Sequence, residues 1–425
     1  MKETQKWLAA MLASVSIIAS LTAPAWAADE QPAATTEQPA STTEQPTAST
    51  EQPTASTEQS EATTEQPAST AEQPAATTEQ PKATETPATD GSSRDLIDYF
   101  AGDSLNHWAS ADLADFIQAD ILAGYKQQDG TTLIKPQGNV TRAEFVAILL
   151  RAANVPTATG TSEFTDVDAK DWYYGPVVTA SSMNLIYGKK EGLFEPNAKI
   201  TRAEISAILN RFFQSTIDFG GAAKTFADVG GHWAQADIEN ISRAGVVAGY
   251  GDAFKPNNNA TRAEAISMIR RALRKETKDA TKEQDVLTAM KDFIDTDNSL
   301  NEAKKFDDAA AFYPTKATGF YLANSLASED YLKQLDQEIQ SAGGTIAFHV
   351  SGDAAYSVKS LSDRYASVAV TGQTIEVSVT QDGQTQTDSV STDETYLLRK
   401  VDGVWKVYGA ESAFQDFVNA VESNS

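Results

Sequence analysis

The sequence lacks cysteine altogether, has only three histidines, and is poor in positive charge. Without cysteine no disulfide can form, so the folded parts need packed apolar cores of reasonable size. The 34 lysines and arginines face 59 acidic residues, which gives a formal net charge of −25. A chain of this charge repels nucleic-acid phosphates, so no nucleic acid is expected as a partner. An anionic ligand must therefore be held by a few individually placed cations.

Long hydrophobic runs are also scarce, and the most apolar stretch lies at the N-terminus. Residues 1–27 have the layout of a secretory signal peptide: Lys2 and Lys6 precede an apolar stretch ending at Leu21, followed by the small residues Ala25 and Ala27. The apolar stretch is short for a membrane span, which needs about 20 residues. We expect cleavage after residue 27, export, and no transmembrane span in the mature chain.

Residues 28–93 repeat Glu-Gln-Pro with a period of seven and contain almost no large apolar residue. The recurring proline blocks helix continuation, and no apolar seam for a coiled coil exists. Such a composition cannot offset the entropy of ordering, so a disordered, threonine-rich arm is predicted.

From residue 94 onward the sequence repeats with a period of 60 residues. Thr-Arg-Ala-Glu stands at 141–144, 201–204 and 261–264, with a proline five positions before each threonine. Apolar residues after each threonine follow helical spacing, as in Phe145, Ile148 and Leu149. Each unit is predicted to form helix, loop and helix, at about 94–155, 162–215 and 224–275. One unit buries little apolar surface, so the three should pack into one all-α helical-repeat domain.

Thr-x-x-Glu ahead of an apolar-striped run is the pattern of a helix capping box. The threonine hydroxyl accepts from the backbone N–H three residues on, and the glutamate accepts from the threonine N–H. The pattern predicts three capped helices. The capping residues are Thr141, Glu144, Thr201, Glu204, Thr261 and Glu264.

The arginine after each threonine needs a separate explanation. A cation in the first helical turn opposes the helix macrodipole by ~0.3–1 kcal/mol, so Arg142, Arg202 and Arg262 each require a compensating partner. One hypothesis is an anionic ligand, held by the guanidinium group beside the helix N-terminus. The alternative is an internal ion pair with an aspartate of the same fold. The candidate aspartates are Asp103, Asp166 and Asp228.

Each unit also carries one tryptophan, at positions 108, 172 and 233. A tryptophan in a repeat can belong to the apolar core. Alternatively, the indole can line a groove and stack against the C–H face of a sugar ring. The sequence leaves both interpretations open.

Three tandem units with the order Phe-x-Asp-Val, Trp, Gly, Phe-x-Pro and Thr-Arg-Ala-Glu resemble the S-layer homology domain, the module that holds surface proteins to bacterial cell walls. The first unit departs from this pattern, since Ala101 and Ser104 replace the phenylalanine and the valine. The resemblance implies a pseudo-threefold arrangement with grooves between neighbouring units. In the family these grooves bind a secondary cell-wall polysaccharide, often through an acidic, pyruvylated sugar.

The resemblance also implies roles for individual residues. The arginines would donate to the carboxylate or hydroxyl groups of the sugar, the aspartates would accept from its hydroxyls, the tryptophans would form walls, and the glycines would allow close backbone approach. The implied glycan-binding residues are Arg142, Arg202, Arg262, Asp103, Asp166, Asp228, Trp108, Trp172, Trp233, Gly124, Gly188 and Gly249. Because the first unit departs from the pattern, two working grooves are expected rather than three.

Residues 285–425 are predicted to form a second domain. Helical spacing comes first, and from residue 345 the apolar period changes to two, with Asp-Gly turn signals at 382–383 and 402–403. This order predicts an α+β domain with an antiparallel sheet. Its closing stretch, "DGVWKVYG", is similar to that of the nuclear-transport-factor-like cone fold.

The second domain shows no catalytic pattern. His349 has no evident serine or cysteine partner, and neither metal-ligand spacing nor a phosphate loop occurs, so no cofactor or metal is expected. The favoured hypothesis is a secreted, non-catalytic protein at the cell wall or S-layer surface, whose C-terminal domain serves binding or assembly. The alternatives are a wall-tethered enzyme with catalysis in 285–425 and a lattice-forming S-layer subunit.

Overall fold

The computed structural model describes residues 94–190, 192–277 and 282–423. The predicted signal peptide and the Glu-Gln-Pro arm lie outside this range. A 3-10 helix at Leu96–Tyr99 opens the described chain. The helices of the repeat region are α1 (Gly102–Leu105), α2 (Ser110–Gln118), α3 (Arg142–Ala152), α4 (Tyr174–Ser182), α5 (Arg202–Phe213), α6 (Gln235–Arg243) and α7 (Arg262–Leu273).

The helices α3, α5 and α7 each begin with a complete capping box. In α3, the Thr141 hydroxyl accepts from the Glu144 backbone N–H at 3.2 Å, and the Glu144 carboxylate accepts from the Thr141 N–H at 2.7 Å. The same reciprocal bonds open α5 and α7. The apolar stripes behind the caps are buried, including Phe145, Ile205 and Ile266. Local sequence therefore sets where these three helices start.

The chain segment ahead of each capping threonine is extended and pairs with the equivalent segments of the other repeats. The Val140 N–H donates to the Ala260 carbonyl, the Ala260 N–H to the Ile200 carbonyl, and the Ile200 N–H to the Val140 carbonyl. These three hydrogen bonds, 3.2, 2.9 and 3.1 Å long, form a closed cycle. The repeats therefore meet around a central axis through backbone pairing as well as through side-chain packing.

The prediction of an all-α repeat domain is wrong. Strands β1 (Tyr125–Lys126) and β2 (Thr132–Leu133) form an antiparallel hairpin in the first repeat. Antiparallel bridges also join the repeats, between Asn139 and Thr261, between Thr141 and Lys199, and between Thr201 and Asn259. Apolar periodicity cannot reveal these segments, because the hairpin strands are only two residues long and the bridges join residues at least 58 positions apart.

The long helices of the repeat region pack in pairs that cross the repeat boundaries. Helix α3 packs on α4, α5 packs on α6, and α7 packs on α2. The third pair joins the last repeat to the first. The three repeats therefore form a closed ring.

The C-terminal part is rich in sheet and begins with three helices. The helices are α8 (Glu283–Glu302), α9 (Phe306–Lys316), α10 (Gly319–Ser341) and, at the end, α11 (Glu411–Ser423). The strands are β3 (Thr345–Ser351), β4 (Ala355–Leu361), β5 (Tyr365–Thr371), β6 (Thr374–Gln381), β7 (Gln384–Ser391), β8 (Glu394–Val401) and β9 (Val404–Ala410). They form two antiparallel sheets of order β3-β6-β7 and β4-β5-β8-β9, where a single sheet was predicted.

Two hairpin turns of the C-terminal part follow from their residues. Asp382 and Gly383 have φ of 52° and 76°, and Asp402 and Gly403 have φ of 50° and 81°. Positive φ at both central residues is the geometry that Asp-Gly favours between antiparallel strands. The cone fold suggested by the closing strands stays a prediction. Among the described helices, none is both long and apolar enough to cross a membrane.

A buried acid pair lies between the helices of the C-terminal part. The Tyr313 hydroxyl is 2.5 Å from Asp297 Oδ1 and 3.0 Å from Glu329 Oε1. This hydroxyl carries one proton and can donate to only one carboxylate, so both contacts exist together only when one carboxyl group is protonated. Burial raises the pKa of Asp297 to about 6 and that of Glu329 to about 7. The folded protein therefore retains a proton here near neutral pH.

Raising the pH should destabilise the C-terminal part. A carboxyl group whose folded pKa lies above its unfolded value stabilises the fold while protonated, and this contribution is lost as the pH rises through the folded pKa. Between pH 5 and 8 the free energy of unfolding should fall by roughly 3 kcal/mol from this site. In Glu329→Gln the slope should be flatter, as measured by denaturant unfolding at a series of pH values.

The matched control is Glu338→Gln, which changes an exposed carboxylate on the same helix. It should retain the pH dependence of the unmodified protein. Equal slopes for the protein and for Glu329→Gln would show that the pair holds no extra proton.

Candidate ligand-binding grooves

The three repeat arginines lie at the contacts between repeats and are almost fully buried. Arg142 and Arg202 are 4% exposed and Arg262 is 2% exposed. Each guanidinium group faces the capping-box glutamate of the next repeat around the ring. The pairs are Arg142–Glu204 at 2.8 Å, Arg202–Glu264 at 2.9 Å and Arg262–Glu144 at 3.8 Å between the nearest nitrogen and oxygen.

This geometry shows what offsets the unfavourable helix position of the arginines. Each has a carboxylate partner, but the partner is a capping glutamate and not one of the aspartates considered from sequence. Burial lowers the pKa of Arg142, opposed by the nearby charge of Glu204. Because each glutamate also caps its own helix, one carboxylate ties a helix start to the neighbouring repeat.

The three aspartates fasten the loop that leads to each capping threonine. Both carboxylate oxygens of Asp166 accept backbone N–H groups, from Phe194 at 2.9 Å and from Glu195 at 2.8 Å. Asp103 binds Ile134 and Lys135 in the same way, and Asp228 binds Phe254 and Lys255. The residue before each repeat proline is left-handed, with φ of 56° at Lys135 and 57° at Glu195 and Lys255. The aspartates thus hold strained turns, and their contact with sugar stays a prediction.

All three glycines are required by the fold itself. Gly124 has φ of 73°, and an added Cβ there would lie 2.6 Å from Thr132 Cγ2. Gly249 has φ of 68°, and an added Cβ there would lie 2.4 Å from the Phe226 ring. At Gly188 an added Cβ would lie 2.7 Å from the Leu193 carbonyl oxygen. At these glycines the neighbouring protein atoms lie too close to leave room for a side chain, whether or not a ligand is present.

The larger of two grooves, which we term groove A, takes residues from all three repeats. Trp108 comes from repeat 1 and Arg202 from repeat 2, while repeat 3 supplies Tyr250, Glu264 and Arg271. The cavity has a volume of about 390 Å³, within the range of roughly 300–1,000 Å³ found for small-ligand sites. The departure of the first repeat from the family pattern predicts that its groove does not work. Trp108 of this repeat nevertheless lines the larger of grooves A and B.

Groove A keeps hydrogen-bond donors available to a ligand. Arg202 uses Nε on the Phe254 carbonyl at 2.8 Å and Nη1 on Glu264, while its Nη2 makes no hydrogen bond within the described part of the chain. Arg271 likewise has no ion pair or hydrogen bond among the described residues and is only partly buried. The indole of Trp108 is 61% exposed beside them.

The second groove, groove B, repeats this arrangement with different side chains. Trp233 comes from repeat 3 and Arg142 from repeat 1, while repeat 2 supplies Lys189, Glu204 and Arg211. Its volume is about 200 Å³. Lys189 stands where groove A has Tyr250, with its Nζ 3.4 Å from Glu204 Oε1. Groove B is therefore smaller and carries one more cation.

At the third equivalent position a tyrosine fills the space between cation and carboxylate. The Tyr125 hydroxyl accepts from Arg262 Nη1 at 2.9 Å and donates to Glu144 Oε1 at 2.8 Å. Burial alone would raise the pKa of Glu144, but the Thr141 N–H, Arg262 and Tyr125 together hold it below its ordinary value. Trp172 is 43% exposed, less than the other two tryptophans.

All three tryptophans lie at the surface, so the core interpretation is wrong for them. Sequence reasoning missed a further arginine ten residues after each repeat threonine, at 151, 211 and 271. Two of these line the grooves, while Arg151 donates to the Ile121 carbonyl at 2.7 Å. The 60-residue spacing was the available signal. Sequence reasoning also missed Lys189, because the other two repeats have a tyrosine at this position.

The sequence of this region matches a known family. Residues 163–205 and 225–266 match the S-layer homology domain. The match covers two of the three repeats. That the first repeat is a third copy stays a prediction.

Known proteins are similar to this chain over a stretch of about 150 residues. Over 149 residues the chain is 36% identical to the cellulosome-anchoring protein of Acetivibrio thermocellus, covering 33% of each protein. Over 144 residues it is 36% identical to an amylopullulanase of Thermoanaerobacterium thermosulfurigenes, covering 32% of this chain and 8% of that protein. Over 153 residues it is 29% identical to the S-layer protein sap of Bacillus anthracis, covering 35% of this chain and 19% of that protein.

The matched stretch thus spans a third or less of each of these relatives. S-layer homology domains anchor proteins to the cell wall, and the predicted location at the cell wall or S-layer surface is confirmed.

Breaking one arginine–glutamate pair should destabilise the ring of three repeats. Arg142→Met leaves the Glu204 carboxylate without its main partner in a largely buried place, which should cost about 3–5 kcal/mol. Adding Glu204→Gln removes the stranded charge and keeps the capping box, so the double variant should recover much of the loss. Thermal unfolding of the single and double variants measures both effects.

Arg243→Met is the matched control, since Arg243 is exposed and lies on a helix of the same ring. It should unfold at nearly the same temperature as the unmodified protein. Equal destabilisation by Arg142→Met and Arg243→Met would show that the buried pair does not hold the repeats together.

Proposed function

We propose that the repeats bind an anionic secondary cell-wall polysaccharide in grooves A and B, and that the bound unit is an acidic, pyruvylated sugar. The support is one combination of side chains: an exposed indole beside guanidinium groups that retain free donors, in a chain of net charge −25. An indole face suits the C–H face of a sugar ring, and a guanidinium fork suits a carboxylate. The overall negative charge repels anionic polymers, so the attraction must come from these individual indole and guanidinium groups.

Grooves A and B are proposed to contribute unequally to the binding of the polysaccharide. Groove A offers Arg202 Nη2 and Arg271 as donors, so it should make the main contact with the carboxylate. Groove B is smaller, and its Arg142 is fully engaged by the Phe194 carbonyl, Glu204 and the Tyr187 carbonyl. The remaining cations there, Lys189 and Arg211, should contact the same polymer more weakly.

The C-terminal part is proposed to be non-catalytic. Its two carboxyl groups with raised pKa, Asp297 and Glu329, are engaged by Tyr313, and Asp297 also accepts from Asn301 at 3.2 Å. Acids held by protein groups in this way act within the fold. We propose that this part serves binding or assembly at the wall.

Changing groove residues should weaken wall binding without unfolding the protein. Trp108→Ala combined with Arg271→Gln removes the indole and a guanidinium group of groove A that makes no hydrogen bond or ion pair with the described residues. Binding to purified cell walls, measured by cosedimentation, should fall at least about tenfold, because a stacking contact and a charge-assisted hydrogen bond are lost. Trp233→Ala should reduce binding by a smaller factor.

The control is Ile97→Ala combined with Arg243→Gln, which removes an exposed apolar side chain and an exposed cation outside both grooves. This control should bind as the unmodified protein does. Walls stripped of their non-peptidoglycan polymer should no longer bind the unmodified protein. Full binding by the groove A variant, or to stripped walls, would show that the ligand or the site is different.

A further inference from the structure

One of the three helix pairs in the ring is not joined by a local chain connection. Helices α3 and α4 follow one another in the chain, as do α5 and α6, so their loops hold each pair together. Helices α7 and α2 belong to opposite ends of the repeat region, and their contacting residues are 155 or more positions apart. Loops make the first two contacts nearly local, whereas closing the third costs more chain entropy. We call the contact between α7 and α2 the joint. Side-chain contacts must supply the additional stabilisation that offsets the entropy cost there.

A buried ionic network occupies this joint. Asp115 on α2 accepts from Arg274 at the end of α7, at 2.7 Å, and from Arg270 Nε. Burial raises the pKa of Asp115, but the two arginines outweigh it and bring the pKa to about 2. The equivalent residues of the other two helix pairs, seven positions after each tryptophan, are the uncharged Thr179 and Asn240. The network is therefore confined to the pair that lacks a loop.

The C-terminal part completes the network. Tyr408 on β9 is fully buried; its hydroxyl donates to Asp115 Oδ1 at 2.5 Å and accepts from Arg274 Nη2 at 2.9 Å. One tyrosine thus contacts both sides of the joint, the first repeat through Asp115 and the third repeat through Arg274.

The same part binds the open carbonyl groups at the ends of α2 and α3. Arg399 donates to the Ala119 carbonyl at 2.7 Å and to the Arg151 carbonyl at 3.2 Å. Tyr365 donates to the Ala152 carbonyl at 2.6 Å, and Arg364 to the Ala153 carbonyl at 2.7 Å. The last carbonyls of a helix lack partners within it and favour positive charge. These contacts fix the first repeat to the C-terminal sheet.

The two helices at this joint also carry walls of groove A. Trp108 lies just before the start of α2, while Ser267, Met268 and Arg271 lie on α7. A change in the distance between α2 and α7 therefore changes the width of groove A. The walls of groove B come from other helices, namely α3 and α5, and from Trp233 ahead of α6.

We propose that the C-terminal domain acts as a clasp, which closes the ring of repeats at the joint between α7 and α2 and thereby sets the width of groove A. Tyr408 and Arg399 are the positioning residues of this clasp. The consequence for ligand binding rests on the proposed function, whereas the closure of the ring does not.

The closure is tested without any ligand, by amide hydrogen exchange in the full chain. In Tyr408→Phe, and separately in Arg399→Met, exchange in α2 should become at least about tenfold faster, because local opening of this helix becomes easier. Exchange in α4 and α6 should not change. Tyr356→Phe is the matched control, since the Tyr356 hydroxyl is buried on strand β4, at the other edge of the same sheet, without a hydrogen-bond partner in the described structure. It should leave α2 unchanged.

Unchanged exchange in α2 for both clasp variants would overturn the proposal. So would an equal acceleration in α2, α4 and α6, because that result means general destabilisation. A local acceleration in α2 by either variant, absent from the control, supports the clasp.

The effect on groove A is tested with a methyl hexoside carrying a pyruvate ketal, by titration calorimetry. In a Trp233→Ala background, where groove A dominates, adding Tyr408→Phe should weaken binding about tenfold through the coupling of the joint to the groove. In a Trp108→Ala background it should have no effect. Equal weakening in both backgrounds would overturn the link between clasp and groove. If the unmodified protein does not bind the glycoside, the proposed ligand is wrong, and the exchange experiment alone decides the clasp.

Discussion

The contact between a repeat arginine and the capping glutamate of the next repeat is the interaction on which the rest of the structure depends. The glutamate closes a capping box in its own helix and at the same time binds the guanidinium group of its neighbour. A buried ion pair adds little net stability, because desolvation offsets the attraction. Here the ion pair fixes the position of each helix start relative to the next repeat, which we call the register of the repeats. The central cycle of backbone hydrogen bonds likewise joins each repeat to the others once.

The grooves are a consequence of this register. Each takes its tryptophan, its buried arginine and its remaining wall from three different repeats, so a single repeat contains no groove. Groove A and the third site both have a tyrosine at the position where groove B has Lys189. The Tyr250 hydroxyl of groove A contacts Glu264, whereas the Tyr125 hydroxyl at the third site bridges Glu144 and Arg262. The same scaffold thus presents two grooves of different charge and size and a third site in which a tyrosine connects the cation to the carboxylate.

Seven arginines of this acidic protein lie where two parts of the chain meet. Arg142, Arg202 and Arg262 lie between repeats, Arg270 and Arg274 lie between the last repeat and the first, and Arg364 and Arg399 lie between the first repeat and the C-terminal sheet. Each of these guanidinium groups binds a carboxylate or the carbonyl end of a helix. In a chain of net charge −25, such local attractions oppose the general repulsion between acidic surfaces.

The sequence alone determined the features that depend on residues close together in the chain. The capping boxes follow from Thr-x-x-Glu, because donor and acceptor are three residues apart, and the Asp-Gly hairpin turns follow from the backbone freedom of their two residues. Only the tertiary structure decided which carboxylate each arginine binds, since the partner lies 62 residues away for Arg142 and Arg202. It also decided that the tryptophans are exposed, that extended segments pair at the ring centre, and that the C-terminal sheet reaches the joint of the ring. These features depend on distances between segments far apart in the chain, which no local pattern of residue types specifies.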